Sequence, residues 1–127
     1  MRARQNIFKS FANAFTGMAT FFLQERNGKV QLAVAVLVCL ASAFFKISLL
    51  EWMMIVLCIG FVIAAEMINT ALEKLCDLVH PDIHPTIKIV KDVSAAAVLW
   101  LAIVSAIIGL IIFIPHIVKF LQPLVVS

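Results

Sequence analysis

Apolar residues gather in three long runs, Val30 to about Phe45, Leu49 to Ala65 and Val93 to about Ile114. Each approaches or exceeds the roughly 20 residues that a bilayer-spanning helix needs. The first two lengthen readily at their flanks, so the pattern predicts three membrane spans. A different rhythm precedes them. In FKSFANAFTGMATFF, Phe8, Phe11, Phe15, Met18 and Phe22 recur at steps of three and four, which puts them on one helical face. With Arg2, Arg4 and Lys9 close by, this stripe suits an amphipathic helix lying in the membrane interface. A short helix packed against the spans fits the same spacing.

The expected fold is therefore an all-α membrane protein with one domain over residues 1–127. It comprises an N-terminal amphipathic region over 1–28 and transmembrane helices over about 29–48, 49–79 and 90–117, the second continuing beyond the membrane. Pro81 and Pro85 break the helix between the second and third spans, because proline removes a backbone donor and clashes with the preceding turn.

Composition agrees. Of 127 residues, 64% are apolar and only 13% charged, with a mean hydropathy of +1.11. A soluble domain carries about 25% charged residues, so lipid is the natural solvent for this surface. The net charge of +3 and pI of about 9.0 then bear on membrane orientation and not on nucleic acid. Arg2, Arg4, Lys9, Arg26, Lys29, Lys74, Lys88 and Lys91 fall on one side of a three-span topology, and only Lys46 and Lys119 on the other. The positive-inside rule puts the first group, and the N-terminus, in the cytoplasm and the C-terminus outside. Cys39, Cys58 and Cys76 are odd in number and far apart, so neither a disulfide framework nor a zinc site is expected. No cleavable signal peptide is expected either, since the first apolar run starts late. Trp52 and Trp100 are read as lipid or packing contacts.

The polar exceptions carry the chemistry. In EMINTALEKLCD, taking Glu66 as the origin, Glu73 falls at about −20°, Asp77 at about +20° and Asn69 at about −60° around a helix that advances about 100° per residue. The four share a face, with Glu66 deepest in the apolar run. An ionisable group within a span is a functional candidate by default, costing about 2.5 kcal/mol or more near the bilayer centre. Glu66 thus reads as a general base, or else as a carboxylate paired with a cation. Glu25, in QERNGKVQ before the first span, could meet Glu73 and hold a hard divalent cation, which takes carboxylates together with phosphate oxygens. In HPTIKIVKD, Lys91 could hold a phosphate as a point charge, or serve with Lys88 as a membrane anchor. His116 reads as an interfacial polar residue. No phosphate-binding G-x-x-x-x-G-K-[ST], G-x-G-x-x-G or kinase H-R-D set is present. A rival reading is a non-enzymatic membrane protein, such as a proton-coupled transporter subunit with an acidic relay.

EMINTALEKLCD followed by HPTIKIVKDVSAAAV resembles the bacterial diacylglycerol kinase and undecaprenol kinase family, small three-span membrane kinases, over about residues 8–115, and ERNGKVQ resembles its segment before the first span. The resemblance implies transfer of the γ-phosphate of ATP to a membrane lipid alcohol, making phosphatidic acid from diacylglycerol or undecaprenyl phosphate from undecaprenol. It further implies Glu66 as catalytic base, Glu25 and Glu73 as ligands to Mg2+ or a similar ion, and Asn69 as a polar residue beside base and phosphates. Lys91 and Asp92 match the nucleotide-contacting pair, Asp82 to His84 the segment near the adenine, and Asn13 an N-terminal contact to the same ATP site. The family implies a homotrimer in the bacterial cytoplasmic membrane, with active sites on the cytoplasmic side completed by neighbouring chains. Two departures stand out: Asn6 falls where a nucleotide-contacting arginine is expected, leaving Arg4 or Lys9 to substitute, and Ala95 occupies a place where some members of the family have a serine near the lipid. HPTIKIVKD resembles the undecaprenol kinase branch more closely, which leans the expected substrate toward a polyprenol or a broad range of lipid alcohols.

Overall fold

A computed structural model describes residues 6–125, and all regular structure among them is helical. Four helices follow one another: α1 (Ile7–Gln24), α2 (Arg26–Phe44), α3 (Leu49–Val79) and α4 (Pro85–Val125). The last three are long and apolar enough to cross a membrane.

Asn6 caps α1, its side chain accepting a hydrogen bond from the Phe8 amide at 3.3 Å. Arg2 and Arg4 lie outside the described residues. The chain turns at Glu25, whose extended backbone (φ −83, ψ 134) ends α1 and opens α2. The corner is tight. A Cβ on buried Gly28 would run into the Phe21 backbone carbonyl, so only glycine lets the two helices approach this closely.

Between α2 and α3 the turn needs a left-handed residue, and Lys46 takes it at φ 48. Ser48 then starts α3 through a capping box, accepting from the Glu51 amide at 3.2 Å while the Glu51 carboxylate accepts from its own amide at 2.7 Å. At this end Ile47, Ile55 and Ile112 form the buried core, with Val38, Phe45, Trp52, Ile59, Ile108 and Phe113 packed against it. His116 of α4, read as an interfacial polar residue, has a partner in the bundle: it pairs with Glu51 at 3.2 Å beside the Phe45 ring.

The most extensive contact joins α3 to α4. Pro85 does not break a helix but occupies the first turn of α4, where its missing amide is no loss. The helix then runs to Val125, past the expected 90–117, accommodating Pro115 and Pro123 within it. Only seven described apolar residues are buried. Phe8, Phe11 and Phe15 of the N-terminal stripe are exposed and not packed on the spans, and Trp100 also faces outward. Trp52, by contrast, joins the core.

Candidate active site

Along α3, apolar burial gives way to polar burial. Glu66 and Asn69 are 9% and 4% exposed, and with Ser42 they are the buried polar residues among those described. A buried carboxylate is costly unless partnered. Among the described residues no cation pairs with Glu66; its partners are two amides from the first turns of α2. Asn27 Nδ2 donates to Glu66 Oε2 at 3.3 Å, and Gln31 Nε2 donates to Oε1 at 3.5 Å. Both contacts are long, so the carboxylate is held without being locked.

One turn further along α3, Asn69 links two helices. Its Nδ2 donates to Glu73 Oε1 at 3.3 Å, and its Oδ1 accepts from Ser94 Oγ of α4 at 2.6 Å. The structure thus brings Glu66, Asn69 and Glu73 to one face of α3 and adds Asn27, Gln31 and Ser94, which sequence reasoning missed. A signal for two of them was present. Asn27 and Gln31 stand one helical turn apart at the start of an otherwise apolar helix, and so share a face.

Other expected groupings differ. Within the chain, Glu25 does not meet Glu73; its carboxylate pairs with Lys74 at 2.9 Å. Helical geometry explains this, because Lys74 lies about 100° around α3 from Glu73, on the side met by the α1–α2 corner. Among the described residues no group of three or more potential metal ligands forms. Lys91 pairs with Asp77 at 2.6 Å, while Asp92 pairs with Lys88 on its own helix, so Lys91 and Asp92 have separate partners. Lys74 and Lys91 lie beyond the apolar runs. Hydrogen bonding to Glu25, then its charge, raises the Lys74 pKa, and hydrogen bonding to Asp77 raises that of Lys91.

Asn13 on α1 and Ala95 on α4 are exposed, as are Asp82 and His84 in the α3–α4 connection. There His80 Nδ1 donates to the Asp82 carbonyl at 3.1 Å, and His84 Nδ1 accepts from the Thr86 amide at 3.2 Å as α4 begins. None of these four hydrogen-bonds to the Glu66–Asn69–Glu73 cluster among the described residues.

Three apolar helices with a buried carboxylate and amides near one end define a membrane protein that keeps polar chemistry inside its bundle. Comparison with known proteins places it more narrowly. The family model for prokaryotic diacylglycerol kinase matches residues 12–113, and the chain belongs to that family. It is 41% identical over 108 residues to an undecaprenol kinase of Bacillus subtilis (strain 168), covering 85% of this chain and 88% of that protein. A diacylglycerol kinase of Synechocystis sp. is 32% identical over 111 residues, covering 87% of this chain and 63% of that protein. One from Helicobacter pylori (strain 26695) is 27% identical over 94 residues, 73% of each chain.

Proposed function

We infer that the protein is a membrane lipid kinase that moves the γ-phosphoryl group of ATP to the hydroxyl of a lipid alcohol. The observation that carries this reading is Glu66, a buried carboxylate set among amides and paired with no cation among the described residues. Such a group can accept a proton. In the proposed step the lipid hydroxyl oxygen attacks the γ-phosphorus, the bond to the β,γ-bridging oxygen breaks, and ADP leaves. The hydroxyl proton passes to the Glu66 carboxylate. Asn27 and Gln31 hold that carboxylate in place.

Phosphoryl transfer rests mainly on positioning and charge neutralisation. Glu73 and Glu25 are the proposed ligands for Mg2+, whose hard, oxygen-seeking chemistry their carboxylates fit. Each uses one oxygen on a described partner, Asn69 for Glu73 and Lys74 for Glu25, which leaves a second oxygen to offer. When bound, the ion would offset triphosphate charge. Lys91 is the proposed phosphate contact, with Asn13, Asp82, His84 and Asp92 as further residues toward ATP and Ala95 toward the lipid.

A polyprenol such as undecaprenol is the proposed acceptor, with diacylglycerol as the second candidate. Greater identity to the undecaprenol kinase relative supports that order. The proposed assembly is a homotrimer in the bacterial cytoplasmic membrane, with Glu66 toward the cytoplasmic side and α1 in the interface. Its supports are the exposed phenylalanines of α1, the lysine and arginine distribution, and the apolar surface one chain leaves uncovered. The transporter-subunit alternative is unsupported: family membership argues against it, and no acidic residue lies within the apolar runs of α2 or α4.

The test is transfer of labelled γ-phosphate to undecaprenol, diacylglycerol and ceramide in mixed micelles. Wild type is expected to label at least one alcohol, and Glu66→Gln to retain below about 1% of turnover, within the range general bases supply. No labelled lipid from folded wild type sinks the kinase reading. A fully active Glu66→Gln protein sinks the assigned base.

A further inference from the structure

Hydroxyl groups inside helices usually satisfy themselves on the carbonyl one turn back in the same helix. Three in this protein do so. Thr16 donates to the Ala12 carbonyl at 3.0 Å, Thr20 to Thr16 at 2.9 Å and Ser42 to Val38 at 2.8 Å. Ser94 does something different: its hydroxyl crosses from α4 to α3 and donates to Asn69 Oδ1 at 2.6 Å. The same amide donates through Nδ2 to Glu73 at 3.3 Å, and Asn69 is only 4% exposed, so water is a poor substitute for either partner.

We propose that Ser94 is a positioning residue of the phosphotransfer site, holding the buried Asn69 amide so that its NH2 group stays on Glu73. The inference rests on the kinase reading above. An asparagine side chain turns about its terminal torsion over a broad, shallow range. A short bond to its oxygen from a second helix removes that freedom and fixes where the nitrogen points. Glu73 then keeps one oxygen on Asn69 and presents the other in a constant direction. Without the Ser94 hydroxyl, the amide oxygen loses a buried partner and the amide can turn its oxygen toward the Glu73 carboxylate, setting acceptor against acceptor.

Ser94 therefore acts on the triphosphate and cation side of the reaction, not on the lipid side. The Lys91–Asp77 pair ties the same two helices one turn earlier along α4.

The test compares wild type with Ser94→Ala, Ser94→Thr, Ser94→Cys and Ser42→Ala. Steady-state kinetics are joined by equilibrium binding of ATP with magnesium in the absence of lipid, and by thermal unfolding in detergent. Ser94→Ala is expected to weaken ATP binding and raise its KM by about fivefold to tenfold, the span of one net hydrogen bond, while the KM for lipid stays within twofold. Ser94→Thr restores ATP binding to within about threefold of wild type, and Ser42→Ala changes neither constant. Should Ser94→Ala fail to fold, Ser94→Cys, with a similar shape and a weak donor, must show the same ATP-selective loss. ATP binding unchanged in Ser94→Ala overturns the proposal. So does a lipid KM that rises in step with the ATP KM, or a threonine variant no better than alanine. Inactivity of wild type on every lipid alcohol would instead strike the kinase reading beneath it.

Discussion

Lys91 of α4 donates to Asp77 of α3 at 2.6 Å, so the proposed phosphate contact already has a carboxylate partner. Because this bond raises the Lys91 pKa, the ammonium stays charged at neutral pH with or without further help. Asp77 can then only compete with phosphate for it. Asp77→Asn is expected to lower the KM for ATP by up to about fivefold, the ceiling set by an exposed ion pair of about 1 kcal/mol. Lys91→Met should raise it by about tenfold or more. A rise in KM on Asp77→Asn would show that the carboxylate positions the lysine and does not compete.

Asn27 and Gln31 predict a graded effect on the proposed base. Asn27 makes the shorter contact, at 3.3 Å against 3.5 Å. Asn27→Ala should therefore reduce turnover by about tenfold and Gln31→Ala by about threefold, both within the roughly 0.5–1.5 kcal/mol net worth of one hydrogen bond. Both variants should keep the wild-type KM for ATP. Single-turnover phosphoryl transfer would read this directly, and the reverse order of effects would contradict the geometry.

Gly28 makes a prediction about stability. Any side chain there meets the Phe21 carbonyl, whereas a Cβ on Gly17 would meet nothing within 4 Å. Gly28→Ala should destabilise by about 1–3 kcal/mol through overpacking. Gly17→Ala should be neutral, or stabilise by up to about 1 kcal/mol through helix propensity. Equal unfolding midpoints for the two variants in a detergent titration would refute the tight corner.

Alkaline pH should loosen the ion pairs. Folding raises the pKa of Lys74 and Lys91 above the ordinary value of 10.5, so their contribution is fully present below that value and is lost as pH rises through the raised one. Hydrogen exchange around the α1–α2 corner, followed from neutral to strongly alkaline pH, should show an opening that Lys74→Met already displays at neutral pH. An alkaline opening of the same size in Lys74→Met as in wild type would assign it to other groups.

The helices and the polar face of α3 were legible because each is a repeat within one segment. An apolar run needs no partner to be recognised, and Glu66, Asn69 and Glu73 share a face by counting alone. Pairings between segments were not legible in this way. Lys74 counts toward orientation in the sequence, yet in space it takes the Glu25 carboxylate, since the α1–α2 corner meets α3 on that side. Glu51 reads as a lone carboxylate at the start of a long span, yet it caps α3 and holds His116 across the bundle. Ser94 reads as one small residue before three alanines; only the approach of α4 to α3 gives its hydroxyl a partner.

Unbroken α3, 31 residues long, carries the proposed base and the proposed metal carboxylate on a single rod. Their separation of seven residues is therefore a fixed length of about 10 Å, at about 1.5 Å per residue. Such a ruler forgives substitution more readily than miscounting. One residue inserted between Glu66 and Glu73 would swing everything beyond it by about 100°, carrying Glu73 and Asp77 away from their partners. The same insertion among residues 80–84, where no helix runs, would leave the spacing intact. Evolution can retune this protein's contacts one side chain at a time, but within that stretch of α3 it has no freedom to change the count.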